Sequence, residues 1–286
     1  MTNQNFCNGC KKNNLQDLNF DKLQICKNCL LVSRQIEKNF FSRIKKIFKT
    51  NKGYSWNLKD LKNRSKINFY FFNKILKFTQ INKKDQILDL GSGYGPLLHI
   101  LKQKNYSAIG VEPSLKNSKI SKKLGHKVIN NILKKNTFKD KKFKVIVSLY
   151  VFTYIHDLAD SFNIFRKILK DDGYILLRIH QYKFSKTYWQ RDHFKILGKK
   201  VTNHFSNNSL KNLFNFHNFD IVLFEPNLDG TTIIAKKVKK KKYKMIGNYK
   251  FEIFYLNYLL FYVSNIMLGL YKIKIKVRNL FYKLKY

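Results

Sequence analysis

Two groups of residues in this 286-residue chain have the types and the spacing to do chemistry. The first is made of cysteines. Cys7-Asn-Gly-Cys10 and Cys26-Lys-Asn-Cys29 form two CxxC knuckles with fifteen residues between them, and they use all four cysteines of the protein. Such knuckles present four thiolates in the tetrahedral arrangement that Zn²⁺ prefers. A shell closed by four sulfurs leaves no position for a substrate, so the metal expected here is structural. Neither knuckle opens a βαβ unit, which argues against a dithiol redox role. Gly9 lies inside the first knuckle, where a tight turn is expected to need freedom in φ.

The second group is Leu88-Asp89-Leu90-Gly91-Ser92-Gly93-Tyr94-Gly95. It follows a strand pattern and leads into a helix pattern, the setting in which a glycine loop brings backbone close to a ligand. A dinucleotide fingerprint requires G-x-G-x-x-G, but the third residue after Gly93 is Pro96. No Gly-Lys-Ser/Thr follows, so a Walker loop is excluded. Glu112 comes twenty-one residues after Gly91, at the end of the next strand pattern. A carboxylate there can accept both hydroxyl protons of a ribose. Loop and acid together describe a nucleoside ligand with no pyrophosphate to cradle.

The elements that must hold these groups are legible between residues 81 and 235. QILDL (86–90), SAIGVE (107–112), HKVIN (126–130), KVIVSL (144–149), YILLRIH (174–180) and FDIVLFE (219–225) read as strands. Helical spacing separates them over 96–104, 115–124 and 158–169. This alternation predicts an α/β fold with an open, doubly wound sheet. Four zones follow: a zinc ribbon over 1–35, a helical lead-in covering the site over 36–80, the nucleoside-binding domain over 81–235, and a basic tail over 236–286. The aromatic cluster Phe69, Tyr70, Phe71 and Phe72 in the lead-in reads as the buried face of a helix.

Residues 86–112 resemble motif I and the following acidic position of class I S-adenosylmethionine (SAM)-dependent methyltransferases. The similarity extends through Phe143–Leu177 and through Asn203-His204-Phe205-Ser206, and covers roughly residues 5–235. It implies a seven-stranded Rossmann-like sheet with SAM over the C-terminal edges of the first strands. By match to the motif, Gly91, Gly93 and Gly95 would pass close to the methionine part and Asp89 would support the loop. Glu112 would hold the ribose, and Asn131 falls where such enzymes contact adenine. The CxxC pair resembles a zinc-binding module found ahead of bacterial methyltransferases that act on sugars and other small metabolites, which implies a small, sugar-type acceptor. The chain departs from the pattern twice. Lys144 stands where an Asp is usual, and Thr153-Tyr154 replaces a Glu-His pair, so the family's acid/base candidate at that place is absent.

Methyl transfer from a sulfonium is an in-line displacement in which positioning does most of the work, with a base needed only where the nucleophile must lose a proton. Tyr154, His156, His180 and His204 all fall near the ends of strands, the edge where ligands bind in such sheets. Tyr154 and His180 are the first candidates for catalysis.

Composition bounds the partners. A hydrophobic share of 44% with 15% aromatic residues excludes a disordered chain, and 3 Pro with 12 Gly exclude a fibre. The net charge is +40, from 57 Lys+Arg against 17 Asp+Glu, and only seven of those bases are Arg. Chains selected to grip phosphate favour the bidentate Arg fork, so a solvated Lys surface is the plainer reading and nucleic acid a weaker one. Ile253 to Tyr271 is nineteen residues without a charge, flanked by Lys on both sides. Asn257, Ser264 and Asn265 fall on one side of that helix, which suits the interface of an anionic membrane better than a span. MTNQNFCNGC carries no apolar signal core, so the expected location is the cytosol, with the tail peripheral on the inner membrane. An RNA methyltransferase and an inactive membrane-attached adaptor are the alternatives.

Overall fold

The computed structural model describes residues 6–18, 22–36, 42, 46, 59–182, 201–227, 230–240 and 242–258. In chain order its elements are β1 (Leu15–Asp17), β2 (Leu23–Cys26), β3 (Val32–Arg34), α1 (Lys59–Phe78), β4 (Gln86–Leu90), α2 (Pro96–Gln103), β5 (Ser107–Val111) and α3 (Leu115–Lys123). There follow β6 (Val128–Ile129), β7 (Phe143–Leu149), α4 (Leu158–Ile168), β8 (Leu169–Ile179), β9 (Asn203–His204), α5 (Asn207–Phe216), β10 (Phe219–Asn227), β11 (Gly230–Lys237) and α6 (Tyr249–Tyr258).

The main sheet has seven strands in the order β10-β11-β8-β7-β4-β5-β6. Strands β4 to β8 are parallel, and β11 runs antiparallel to both β8 and β10. This is the Rossmann-like, doubly wound sheet that the alternation predicts. The strand order turns back between β4 and β7, and ligands in such sheets lie at that point, beyond the carboxyl ends of the strands. One strand escaped the sequence reading. GTTIIAKK forms β11, whose Thr231, Ile233 and Ala235 face one side while Thr232 and Ile234 face the other, all buried. The basic stretch 236–244 begins at its last residues.

Each face of the sheet carries its own core. On one, Phe71, Phe72 and Ile75 of α1 and Leu97, Ile100 and Leu101 of α2 pack on Ile87, Val145, Val147, Leu176 and Ile234. The expected aromatic face of α1 is thus divided: Phe71 and Phe72 are buried, while Phe69 and Tyr70 are exposed. On the other face, Phe162 and Phe165 of α4 and Leu210, Leu213 and Phe214 of α5 pack on Leu88, Ile146, Ile175, Leu177 and Ile233. The caps explain where these helices start. Asp157 accepts the Asp160 N–H at 2.9 Å, and Ser206 and Ser209 form a reciprocal capping box at the start of α5.

The cysteine region forms a second sheet in the order β1-β2-β3-β9. Its fourth strand comes from residues 203–204, far along the chain, through the pairs Val32↔His204 and Ser33↔Asn203. Helix α6 lies on this small sheet. Leu256 and Ile253 pack with Leu18, Leu23, Ile25, Val32 and Tyr182, and the Tyr182 hydroxyl donates to the buried Glu252 carboxylate. The uncharged helix expected over 253–271 therefore starts earlier, at Tyr249, and its residues 259–271 lie outside the described ones. Among the described residues, no helix is long and apolar enough to cross a membrane.

Phe162 is the hub of the α4 side. It is buried, with the rings of Phe152, Phe165, Phe214 and Phe219 around it, and it stacks on His217 at 4.4 Å and 6°. Phe162→Ala should cost about 3–5 kcal/mol of unfolding free energy, read from denaturant melts. A loss under about 1 kcal/mol would mean that the site collapses around the deletion.

Candidate functional site

The loop after β4 is built from backbone. Gly91, Gly93 and Gly95 have φ of 75°, 57° and 90°, which side chains rarely adopt. A Cβ on Gly91 would lie 2.3 Å from Val151 Cγ2, in the turn after β7. A Cβ on Gly93 would meet nothing within 4 Å, so open space begins there. Gly95 caps α2 with Pro96 as its first residue, and the helix directs its unbonded N–H groups toward the same edge.

Glu112, just past β5, faces that loop. Its Oε2 accepts the Gly93 N–H at 2.9 Å and its Oε1 accepts the Ser114 N–H at 2.7 Å. Asn130 braces the backbone beneath it by donating to the Glu112 and Pro113 carbonyls at 2.9 and 3.2 Å. Each carboxylate oxygen keeps a further lone pair, which is what two ribose hydroxyls require. Burial pushes the Glu112 carboxyl up, and the two backbone N–H groups pull it back. Asp89 on β4 is buried too. Burial first, and the neighbouring Glu112 second, push its carboxyl up to about 7. Asn131 is exposed, and its Oδ1 accepts the N–H of Ile132, while Asn130 takes the place against Glu112.

Beyond β7 the edge is aromatic. Tyr150 has φ of 63°, and its ring lies 4.5 Å from that of His180. Arg178 donates from Nε to the Tyr150 hydroxyl at 3.2 Å. Tyr154 sits one turn later, at the end of a short 3-10 helix (Phe152–Tyr154), and is 38% exposed. His156 is partly buried, and burial pushes its pKa down. His204 is buried in β9. Sequence reading named His180 but missed its neighbour Tyr150, whose one signal is its place directly after a buried strand. Lys144 lies at the other end of β7, buried, with Nζ 2.5 Å from Asp172. Its replacement of the usual acid thus bears on the closed edge of the sheet.

The four cysteines converge. Their sulfurs all lie within 4.8 Å of one another, with Cys7 and Cys29 at 3.5 Å and Cys10 and Cys26 at 3.6 Å. A tetrahedral zinc–thiolate shell with bonds of about 2.3 Å has sulfurs about 3.8 Å apart, so the donor set fits that ion. Burial pushes the Cys29 thiol up, and four thiolates this close need a cation between them. The knuckles match each other: Lys11 donates to the Cys7 carbonyl and Leu30 to the Cys26 carbonyl, both from left-handed backbone at 58° and 61°. The freedom in φ falls on these residues and not on Gly9. Gly9 is needed for close approach, because a Cβ there would lie 2.5 Å from Leu213 Cδ2 of α5. His217 Nε2 is 2.6 Å from the Gly9 carbonyl oxygen and donates to it. Burial lowers the His217 pKa to about 4, so the ring is neutral and one nitrogen carries the proton.

The sheet, its glycine loop and the acid across from it define a class I methyltransferase, whose methyl donor is SAM. The chain matches the family described as methyltransferase domain over residues 62–223, more than half its length, and belongs to that family. No curated protein matches its sequence. Among solved structures it is similar to a chain of the complex between the Haloferax volcanii Trm112 methyltransferase activator and a methyltransferase. That pair is 12% identical, with a TM-score of 0.51, over 64% of this chain and 95% of the other. A SAM-dependent methyltransferase from Methanosarcina mazei is 21% identical over 58% and 98% of the two chains, with a TM-score of 0.47. A SAM-dependent methyltransferase from Thermotoga maritima is 18% identical over 64% and 96%, with a TM-score of 0.48. At these identities the likeness is one of fold.

Two predictions separate structure from binding. Gly93→Ala pays only left-handed strain of roughly 1–2 kcal/mol in the free chain but places a methyl group in the open space. It should weaken S-adenosylhomocysteine binding at least tenfold in calorimetry and lower the thermal midpoint by only about 2–4 °C per kcal/mol of that strain. Gly91→Ala, clashing with Val151, should lower the midpoint well beyond that and weaken binding as well. The second concerns Asp89. A carboxyl raised on folding from 3.8 to about 7 adds stability that is complete below pH 4 and is lost as pH rises through 7. The cofactor-free chain should lose thermal midpoint between about pH 4 and pH 7, and Asp89→Asn should flatten that slope. Parallel slopes in the two proteins would place the titrating group elsewhere.

Proposed function

We propose that the chain methylates a small metabolite of the sugar type, and that Cys7, Cys10, Cys26 and Cys29 hold a structural Zn²⁺ beside the acceptor side of the site. The observation that carries this reading is the way the cysteine module meets the ligand edge. Residues Val201–Ser206, which supply β9, are buried. The Thr202 N–H donates to the Thr153 carbonyl at 2.8 Å, and Arg34 of β3 donates to the Thr202 carbonyl at 2.9 Å. One flank of the edge is therefore walled by backbone that belongs to both units. An edge walled on one flank suits a small acceptor better than a duplex or a structured RNA, and the scarcity of Arg agrees.

The work of the residues follows from their placement. SAM, when bound, supplies an activated methyl group that needs no further activation by the protein. Glu112, oriented by two N–H groups, fixes the ribose; Gly93 lets the backbone come close; Asp89, with its carboxyl raised by burial to about 7, carries less than a full charge beneath the loop near neutral pH. The rate then depends on how well the acceptor is held in line. Tyr154 and His180 remain the candidates of the sequence for that task.

A peripheral membrane location is part of the same reading. Phe251 and Phe254 of α6 are 63% and 69% exposed, on a helix that follows the Lys-rich stretch 236–250. Aromatic side chains beside a basic run suit the interface of an anionic bilayer. Acceptors carried on lipid would lie within reach there.

The test is transfer of label from methyl-labelled SAM into extract of the protein's own cells, separated into RNA, protein, soluble metabolites and lipid-linked glycans. Label is expected in the metabolite or lipid-linked fraction and is lost with Glu112→Ala. Label in RNA would replace the substrate class; SAM binding without any transfer would favour the inactive adaptor. Metal analysis should give one zinc per chain. Cys26→Ser should release it and lower the thermal midpoint by roughly 10 °C or more.

A further inference from the structure

Tyr150 ends the central strand β7 in an unfavourable way. A φ of 63° is an outlier for a bulky side chain, with a cost of order 1–3 kcal/mol that the surroundings must offset. They do so from two directions. The Tyr150 N–H donates to the Arg178 carbonyl at 2.7 Å, and the next residue, Val151, is the one that packs on Gly91. The strained residue thus stands directly beside the cofactor loop, half-buried, where an acceptor must arrive.

What stands behind its hydroxyl decides which acceptor. Arg178 is buried, and its hydrogen bonds go to the Tyr150 hydroxyl, Thr232 Oγ1 at 3.0 Å and Asn227 Oδ1 at 2.7 Å, all neutral. Glu225, which feels the guanidinium charge, is instead held by Lys74 at 2.5 Å and by the Tyr70 hydroxyl at 2.8 Å. Among the described residues this buried cation has only neutral hydrogen-bond partners, and no carboxylate bonds to it. Because the phenol oxygen accepts the Arg178 N–H, its own hydrogen points away from the guanidinium and is free to be donated. A donor with a fixed cation behind it stabilises negative charge and repels an ammonium.

We propose that Tyr150, backed by Arg178, binds the acceptor and that the acceptor atom is an oxygen. This rests on the reading of the chain as an active small-molecule methyltransferase. In the step, the hydroxyl oxygen bonds to the methyl carbon as the methyl–sulfur bond breaks. Sulfur keeps the electron pair, and the hydroxyl proton leaves to water. The phenol O–H and the guanidinium hold the oxygen in line and favour its loss of that proton.

The test uses the full chain with Tyr150→Phe, which keeps the ring against His180 and removes only the hydroxyl, and with Arg178→Lys. S-adenosylhomocysteine affinity is read by calorimetry. Steady-state transfer is read on the extract fraction that the wild-type chain labels, and the methylated atom is assigned by mass spectrometry of the product. Tyr150→Phe should keep affinity for S-adenosylhomocysteine within twofold and lose kcat/KM by about 100-fold, and the methyl group should be on oxygen. Arg178→Lys should lose less, with KM raised. Wild-type transfer rates in Tyr150→Phe, a methyl group on nitrogen, or loss of S-adenosylhomocysteine binding in Tyr150→Phe would each overturn the proposal. Label on a ribose oxygen of RNA, lost with Tyr150→Phe, would overturn the small-metabolite reading and leave the role of Tyr150 standing. A wild-type chain that does not bind S-adenosylhomocysteine would overturn both.

Discussion

The contact between Gly91 and Val151 sets the geometry of the ligand edge. The Val151 side chain lies so close to the Gly91 backbone that no Cβ fits there, and the loop after β4 and the turn after β7 are held together by that contact. These two strands are neighbours at the point where the sheet order turns back, which is where a crevice opens. Gly93 faces open space on one side of this contact, and Tyr150, with φ of 63°, precedes Val151 on the other. The glycine loop and Tyr150 therefore meet at one close approach.

Charge is distributed to suit that edge. With 17 acids against 57 bases, the few carboxylates are placed with consequence. Asp85, Asp171 and Asp172 accept Lys170, Lys237 and Lys144 at 2.6, 2.9 and 2.5 Å, and so join β7, β8, β11 and the turn before β4 at the closed end of the sheet. Each such pair has at least one partly or fully exposed partner, so solvent screens it. Among the described residues Asp89 and Glu112 have no Lys or Arg partner: burial raises both carboxyls, Glu112 raises Asp89 further, and two backbone N–H groups pull Glu112 alone back.

Much of this was legible in the chain because local patterns carry it. QILDL followed by Gly-x-Gly-x-Gly fixes a strand, a backbone loop and a helix start within eleven residues, and β4, the loop and α2 occupy those positions. The CxxC pairs likewise announced a four-sulfur cluster. What was not legible depends on partners distant in sequence. β9 is two residues long and becomes a strand only because β3 is there to pair with it. β11 has two buried faces, so its pattern lacks the alternation that marks a half-exposed strand. Tyr150 and Arg178 carry no motif; their relation arises from β7 and β8 lying side by side. Gly9 showed the right residue for the wrong reason, since α5, over two hundred positions away, supplies the atom that excludes a side chain there.

The cysteine module is therefore better regarded as part of the ligand edge than as an appendage. Its first knuckle is bonded to the main domain by the His217 ring and by the Ala159 N–H, which donates to the Asn8 carbonyl at 2.9 Å at the start of α4. Its β3 strand holds Thr202, and Thr202 in turn holds the carbonyls of Thr153 and Ile155 through its N–H and hydroxyl. The turn that carries Thr153 and Tyr154, where the usual Glu-His pair is missing, is thus clamped from the side of the four sulfurs. A small sheet whose strands are two to four residues long cannot bury enough apolar surface to be rigid alone. On the proposed zinc reading, a closed metal shell would supply that rigidity, and the hydrogen bonds would pass it on to the turn. Order at the four cysteines and order of the Thr153–Tyr154 turn would then be one structural condition.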